Sequence, residues 1–327
     1  MFKALRLDRV GSRVNAAVVE LDCGATADGD VSIRVEYSTL NYKDALAITG
    51  RGAIVRRWPL TAGIDVAGVV EGSDHADWKP GDRVVINGWG LGETRDGGLA
   101  QKARVPSSFL LALPAPYDTR AAMAVGTAGY TAALAVQALL RHGLVPPCGP
   151  VLVTGASGGV GSIAVRLLSG LGFEVDAATG RPESGEALKA HGASHVIDRS
   201  ELASPGRPLQ SAQWAGVVDT VGSHTLANAC ARTKWHGAVA ACGLAQGSEF
   251  PSTVMPFILR AVTLYGINSV FVPNSQRREA WALLAAHLPV PVLLEMADDI
   301  SLNEAIGAAT DLLEGRLRRR VVVDMNR

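Results

Sequence analysis

Apolar and polar positions change their period once along this chain. Through the first 123 residues the period is two. Val31-Ser32-Ile33-Arg34-Val35-Glu36-Tyr37 alternates as a half-buried strand does, and Val66-Ala67-Gly68-Val69-Val70-Glu71-Gly72 reads as a second strand. Lys79-Pro80-Gly81-Asp82 is a turn that feeds a third, Arg83-Val84-Val85-Ile86. Met1-Phe2-Lys3-Ala4-Leu5-Arg6-Leu7-Asp8 is a charged, alternating strand and not a signal peptide. No segment of helical period matches these in strength, so the first region is predicted to be mostly β. From Thr127 the period lengthens. An alanine- and leucine-rich helix is predicted over 128–140, closed by His142-Gly143 with the glycine as C-cap. After Pro146-Pro147, short apolar strands at 151–154, 175–178, 195–197, 216–219 and 238–242 alternate with helical or loop segments, the pattern of a doubly wound parallel sheet in an α/β protein. The alternation ends near Leu264-Tyr265-Gly266-Ile267. Helices are predicted over 277–288 and 302–314, and Arg320-Val321-Val322-Val323-Asp324 is a final strand that returns to the first region.

The turn after the strand 151–154 carries the first chemistry. Gly155-Ala156-Ser157-Gly158-Gly159-Val160-Gly161 links an apolar strand to the helical pattern Ile163-Ala164-Val165-Arg166-Leu167-Leu168. Strand, glycine turn and helix make a cradle for a pyrophosphate: the glycines admit the ligand to the backbone, and the helix start offers free N–H groups. Ser157, Gly158, Gly159 and Val160 are the expected contacts. The same residues satisfy G-x-S-x-G, a nucleophile elbow in which Ser157 would be served by Asp219 and by His224 or His236. The elbow leaves Gly159 and Gly161 unexplained, whereas a dinucleotide fold needs a second strand ending at the ribose, and Phe173-Glu174-Val175-Asp176-Ala177-Ala178 supplies it. That strand runs into Thr179-Gly180-Arg181, with no acid at its tip. A carboxylate there would repel a 2′-phosphate and a guanidinium would grip it, so the preference read here is NADP(H).

Composition bounds the rest. Of 327 residues 48% are hydrophobic and 19% charged, and the 31 basic residues balance the 31 acidic ones, so no global charge calls for nucleic acid or a membrane surface. Cys23, Cys148, Cys230 and Cys242 form no CxxC pair and no disulfide ladder, which suits a reducing cytoplasm. No apolar run is expected to reach the ~20 residues of a spanning helix.

Five segments carry a specific resemblance: Asn41-Tyr42-Lys43-Asp44-Ala45-Leu46-Ala47-Ile48-Thr49-Gly50, Gly88-Trp89-Gly90-Leu91-Gly92-Glu93, Gly126-Thr127-Ala128-Gly129-Tyr130-Thr131-Ala132, Val239-Ala240-Ala241-Cys242-Gly243-Leu244-Ala245 and Thr253-Val254-Met255-Pro256-Phe257-Ile258-Leu259-Arg260. With them the chain resembles the medium-chain dehydrogenases/reductases, in the zinc-independent quinone-oxidoreductase-like branch and its acryloyl-CoA reductase subfamily. The resemblance implies a GroES-like β-rich catalytic domain, 1–123 and 268–327, around an NADP-binding Rossmann domain, 124–267. Zinc-dependent members carry GHExxG, and here Gly63-Ile64-Asp65-Val66-Ala67-Gly68 has Ile64 in place of the ligating histidine. His191 and His195 sit where a helix end enters a strand and would not share a face, so no metal is expected.

Without a Lewis acid, a carbon–carbon double bond conjugated to a carbonyl is the suitable hydride acceptor. The resemblance then implies NADPH-dependent reduction of acryloyl-CoA, or a similar short enoyl thioester, to the saturated thioester. A quinone or enone reductase is the alternative, and a non-enzymatic NADPH-binding protein a further one. Asn41, Tyr42 and Asp44 are the expected catalytic residues, read as a polar loop: Tyr42 contacts nicotinamide or donates a proton (a role solvent could also fill), Asn41 polarises the carbonyl, and Asp44 orients Lys43 or the loop. Asn41 and Asp44 could equally hold only the turn. Thr127, Cys242, Gly243, Leu244, Asn268 and Ser269 join Tyr42 as further cofactor contacts. The glycine-rich loop 88–98 reads either as a lid or as a hairpin connection. Arg51, Arg56, Arg57 and Arg260 are candidates for the phosphates of coenzyme A. Homodimers paired through residues 262–267 are expected, since an apolar sheet edge needs covering.

Overall fold

A computed structural model describes residues 1–22 and 29–327, and Cys23 lies outside the described residues. The chain divides into two compact units. One comprises Met1–Thr127, Ser269–Ala285 and Pro289–Arg327; the other comprises Ala128–Asn268 and Ala286–Leu288.

The first unit is built on strands that pair antiparallel, except for the parallel pair Ala297–Ser301 and Arg320–Asp324. A seven-stranded sheet runs in the order Ala297–Ser301, Arg320–Asp324, Val31–Leu40, Asp65–Ser73, Arg83–Asn87, Leu111–Ala112, with Lys102–Val105 also pairing to Val31–Leu40. Phe2–Val10 and Arg13–Leu21 form a hairpin that Leu60–Thr61 extends to a smaller sheet. Alternation in Val31–Leu40 sends Val31, Ile33 and Val35 into the core while Arg34 faces solvent. The pattern then breaks, and Ser38, Thr39 and Leu40 are all buried. Those residues lie where Arg320–Asp324 pairs along the strand, Val321 opposite Leu40 and Asp324 opposite Tyr37, so the predicted return of the last strand is observed.

The stretch read as a polar loop is a helix. Tyr42–Thr49 is helical, with Asn41 extended at its N-cap, and the Asp44 carboxylate reaches back to the Asn41 N–H at 2.9 Å, the carboxylate half of a capping box. Its apolar residues Ala45, Ala47 and Ile48 join the core. At eight residues it is too short for a helical period to stand out from its surroundings. Gly50, at φ 67°, ends it.

The second unit holds a parallel six-stranded sheet in the order His195–Asp198, Val175–Thr179, Val151–Thr154, Trp214–Asp219, Thr233–Ala241, Thr263–Gly266. In chain order this is 3-2-1-4-5-6, so strand progression reverses between Val151–Thr154 and Trp214–Asp219, the switch point where ligands bind in such sheets. Both of those central strands are buried along their whole length, which is why they read as continuous apolar runs. The helix Gly159–Gly170 lays Ile163, Val165, Leu167 and Leu168 into the core.

One expectation is corrected. The helix Thr119–Arg141, at 23 residues, is long and apolar enough by composition to cross a bilayer. It has 83% of its apolar window buried inside the protein, and Gly126, at φ 52° and ψ −167°, interrupts its helical backbone. Its apolarity serves core packing.

Candidate functional site

In the second unit the glycine turn has the expected shape. Gly155 is in the left-handed region at φ 60°, and a Cβ there would stand 2.3 Å from Thr220 Oγ1. A Cβ on Gly161 would stand 2.3 Å from the Gly155 carbonyl oxygen, so the helix start and the turn touch backbone to backbone. Gly158 caps the helix and is exposed, and the first N–H groups of Gly159–Gly170 have no intrahelical acceptor. Beneath the turn, Asp219 is buried; its Oδ1 accepts from Thr154 Oγ1 at 2.6 Å and its Oδ2 from the Gly222 N–H at 2.8 Å. Burial pushes this carboxyl above its ordinary range. Thr220 donates its hydroxyl to the Thr154 carbonyl at 2.9 Å and so ties the two central strands together at their carboxyl ends.

The strand tip reads as expected and adds a residue. Ser157 Oγ and Thr179 Oγ1 share a hydrogen bond of 2.9 Å, and the Arg181 N–H donates to Thr179 Oγ1 at 3.1 Å. The Arg199 N–H donates to the Thr179 carbonyl at 2.9 Å, and a Cβ on Gly180 would meet Arg199 Nε at 2.4 Å. Two arginines therefore flank Gly180. Arg199 was not singled out from the sequence; its place at the end of the third strand, next to the second, was the available signal. These partners also remove the elbow reading: Ser157 is bonded to a threonine, and Asp219 is committed to Thr154 and Gly222. At the end of Thr233–Ala241, Cys242 donates its N–H to the Asp219 carbonyl at 2.8 Å, and Gly243 packs so closely on Thr220 that a Cβ would lie 2.1 Å from its carbonyl oxygen. Leu244 is exposed, and Asn268 is the last residue of the unit's main segment.

In the first unit a buried polar network stands behind Tyr42. Asp65, fully buried, accepts from Asn87 Nδ2 at 2.6 Å and Thr127 Oγ1 at 2.6 Å on one oxygen, and from Asn41 Nδ2 at 2.7 Å and the Thr127 N–H at 2.9 Å on the other. Asp44 accepts from the Ile64 N–H at 2.9 Å and from Asn41 Nδ2 at 3.1 Å. Arg320 donates to Thr39 Oγ1 at 2.9 Å and Asn41 Oδ1 at 3.2 Å. Burial, with the nearby Asp65 charge second, pushes the Asp44 carboxyl up to about 7. Burial pulls the Arg320 guanidinium down against the attraction of Asp65 and Asp44.

This network corrects the expected roles of Asn41 and Asp44. Both donors of the Asn41 amide are already given to Asp44 and Asp65, so it has none for a substrate carbonyl. Asp44 braces the helix start and Ile64; it does not orient Lys43, whose ammonium pairs with Glu93 Oε1 at 2.8 Å. Tyr42 is different: 53% exposed, with no hydroxyl partner among the described residues. Asp65, Asn87 and Arg320 were missed because nothing local marks them; they converge only once the sheet is assembled.

The loop 88–98 is a packed connection. The Glu93, Thr94 and Arg95 N–H groups all donate to the Gly90 carbonyl, and Leu91 is buried. Arg277, also buried, donates to the carbonyls of Asn87, Val270, Val272 and Ser269, with its guanidinium 4.2 Å from the Trp89 ring centroid. Ser269 is thereby held through its backbone. Among the described residues, one group with metal-ligand chemistry occurs, Glu174, Asp176 and His195 in the second unit; His195 Nδ1 lies 3.0 Å from Asp176 Oδ1, whose carboxylate also accepts from Trp214.

The zinc-binding dehydrogenase family matches residues 159–286, and the alcohol dehydrogenase GroES-like domain family matches residues 27–115. The chain is 48% identical to an acrylyl-CoA reductase of Ruegeria pomeroyi, over 100% of both chains. An oxidoreductase of Salmonella enterica, crystallised in complex with NADP, is 46% identical and superposes at a TM-score of 0.97 over 98% of this chain and 99% of its own. A Bacillus subtilis protein described as a putative quinone oxidoreductase is 42% identical over 99% of both chains.

Proposed function

Because the chain belongs to the medium-chain dehydrogenase/reductase superfamily, in its quinone-oxidoreductase-like branch, we propose that it reduces the carbon–carbon double bond of acryloyl-CoA or a similar short enoyl thioester, with NADPH as reductant. The observation that carries the substrate assignment is full-length similarity to an acrylyl-CoA reductase, with neither chain leaving a segment unmatched.

The second unit suits the cofactor. The close backbone contact of Gly155 and Gly161 leaves the room a pyrophosphate needs, and the free N–H groups at Gly159 and Val160 face that anion. Ser157 and Thr179 bring two hydroxyls to the ribose end, and Arg181 and Arg199 bring two guanidiniums for a 2′-phosphate. When bound, NADPH supplies a hydride to the β-carbon of the conjugated thioester. Tyr42 offers its hydroxyl to the nicotinamide or, as proton donor, to the α-carbon. Asn41, Asp44, Asp65 and Arg320 fix the helix start that carries Tyr42 and act as positioning residues. Thr127 gives both its N–H and its O–H to Asp65, so a cofactor contact would use its oxygen lone pair. Cys242, Gly243, Leu244, Asn268 and Ser269 remain proposed cofactor contacts, the first two rigid through Asp219 and Thr220.

The test is NADPH oxidation with acryloyl-CoA, crotonyl-CoA and a quinone in parallel. The expected order is acryloyl-CoA fastest. Rapid turnover with the quinone alone would transfer the chain to the second reading, which the Bacillus subtilis relative favours. No turnover with any acceptor would leave a cofactor-binding protein. A cytoplasmic homodimer fits the scattered thiols and the edge strand Thr263–Gly266, beside which Val254, Ile258 and Leu259 are exposed. Sedimentation at the mass of one chain would exclude the dimer.

A further inference from the structure

We propose that Arg56 and Arg57, with Arg95 beside them, form the site that grips the phosphates of the coenzyme A moiety. The proposal rests on the reading that the acceptor is a coenzyme A thioester. Four arginines had the right chemistry in the sequence, and the structure sorts them. Arg260 is committed to the fold: its guanidinium donates to the carbonyls of Ala231 at 2.9 Å, Thr233 at 3.2 Å and Gln210 at 2.5 Å. Arg51 has a 3.4 Å contact with Glu314, no stronger than the one Arg57 makes with Asp96; what separates it is its partner, Glu314 and not Glu93 or Asp96. Arg56 is exposed, and its guanidinium meets no carboxylate among the described residues. Arg57 is also exposed and has a long 3.4 Å contact with Asp96, a carboxylate that Arg6 already holds at 2.6 Å.

The place is as telling as the exposure. The Arg56 N–H donates to the Glu93 carbonyl at 2.8 Å, and the Glu93 carboxylate takes the ammonium of Lys43, the residue next to Tyr42. The backbone of Arg56 is therefore linked through Glu93 and Lys43 to the helix that carries the exposed phenol. Arg95, two positions after Glu93, is exposed and steadied 5.3 Å over the Phe109 ring. Around this strip Arg6, Lys43, Arg56, Arg57 and Arg95 have, among the described residues, only Glu93 and Asp96 as carboxylate partners. The whole chain is neutral, so this local excess is not the expression of a basic protein. Paired guanidiniums bind phosphate through parallel charge-assisted hydrogen bonds, and a pyrophosphate with a 3′-phosphate is the polyanion that a coenzyme A thioester carries away from its reacting carbons.

The experiment compares two acceptors with one reacting group. Acryloyl-CoA and the acryloyl thioester of N-acetylcysteamine share the conjugated thioester, and the second has no phosphate. kcat/KM for each is measured at saturating NADPH in the wild type, in Arg56→Gln/Arg57→Gln and in Arg56→Glu/Arg57→Glu. The ratio of kcat/KM for acryloyl-CoA to that for the short thioester is expected to fall about tenfold in the Gln pair and further in the Glu pair, through KM for acryloyl-CoA. The wild-type ratio is expected to fall as ionic strength rises, because exposed charges are screened. A ratio unchanged in both pairs overturns the proposal. If the wild type reduces neither thioester, the functional reading fails on its own, and calorimetric titration of free coenzyme A then decides the patch. Binding that the Glu pair loses upholds it; equal binding in both, or none, overturns it.

Discussion

Two arginines in this molecule, Arg181 and Arg320, show how differently its two units use a charge. Arg181 stands at the exposed end of a parallel sheet, beside Gly180 and Thr179, where backbone and short side chains shape an anion cradle. Arg320 is buried among Thr39, Asn41, Asp44 and Asp65, where every partner belongs to the protein. Beside Arg181, the first N–H groups of Gly159–Gly170 have no intrahelical acceptor and are left over for a ligand. The network around Arg320 consumes its donors, and its product is the fixed position of a neighbour, Tyr42. An abundance of polar residues is therefore a poor guide to where chemistry happens; what counts is how many donors the fold has left uncommitted.

Replacing each arginine sharpens the contrast. Arg320→Met is expected to have the largest effect, a loss of about 3–5 kcal/mol in folding stability, because it strands buried carboxylates without their cation. Urea unfolding measures it, and a loss below about 1 kcal/mol would make the network decorative. Arg181→Ala and Arg199→Ala should leave unfolding unchanged and weaken NADPH about tenfold while sparing NADH, since only the former has a 2′-phosphate for them. Equal weakening of both cofactors in fluorescence titrations would remove these residues from the 2′-phosphate. A further prediction concerns the pH dependence that Asp44 brings to stability. Its carboxyl stands at about 7 in the fold against 3.8 ordinarily, so between those values the folded chain holds a proton that the unfolded chain has released. Stability should therefore fall as pH rises through that window, and Asp44→Asn should flatten the slope. The same pH profile in the variant and the wild type would locate the titration elsewhere.

The contrast also decides what the sequence could disclose. The glycine turn is contiguous, with Gly158 and Gly161 packed on the Gly155 carbonyl and Gly155 on the Thr220 side chain, so the strand, turn and helix were legible from one stretch of sequence. The strand boundaries moved by a few residues, as with Trp214–Asp219, because burial on both faces erases the alternation that marks an end. The first unit was legible as β-rich, with Asn41, Tyr42 and Asp44 marked by the resemblance, but the network around them was not. Its central contacts join Asn41 to Asp65 across 24 positions and to Arg320 across 279, and no local pattern encodes such a pairing. The short helix Tyr42–Thr49 hid for a related reason: its cap residues are polar because they serve the network, and they mimic a solvent-exposed loop.

The position of Arg320–Asp324 bears on the order in which the molecule is made. The second unit lies almost wholly within one stretch, Ala128–Asn268, and every strand of its sheet is available once that stretch has left the ribosome. The first unit lacks one neighbour for Val31–Leu40, and a cation for Asp44 and Asp65, until Arg320–Asp324 emerges. The earlier-made strands must wait through the synthesis of a whole intervening unit, with loop closure over hundreds of residues still ahead. The strand Arg320–Asp324 is thus a late requirement of the first unit: a chain truncated before it lacks a partner for residues 37–40 and the cation behind the seat of Tyr42.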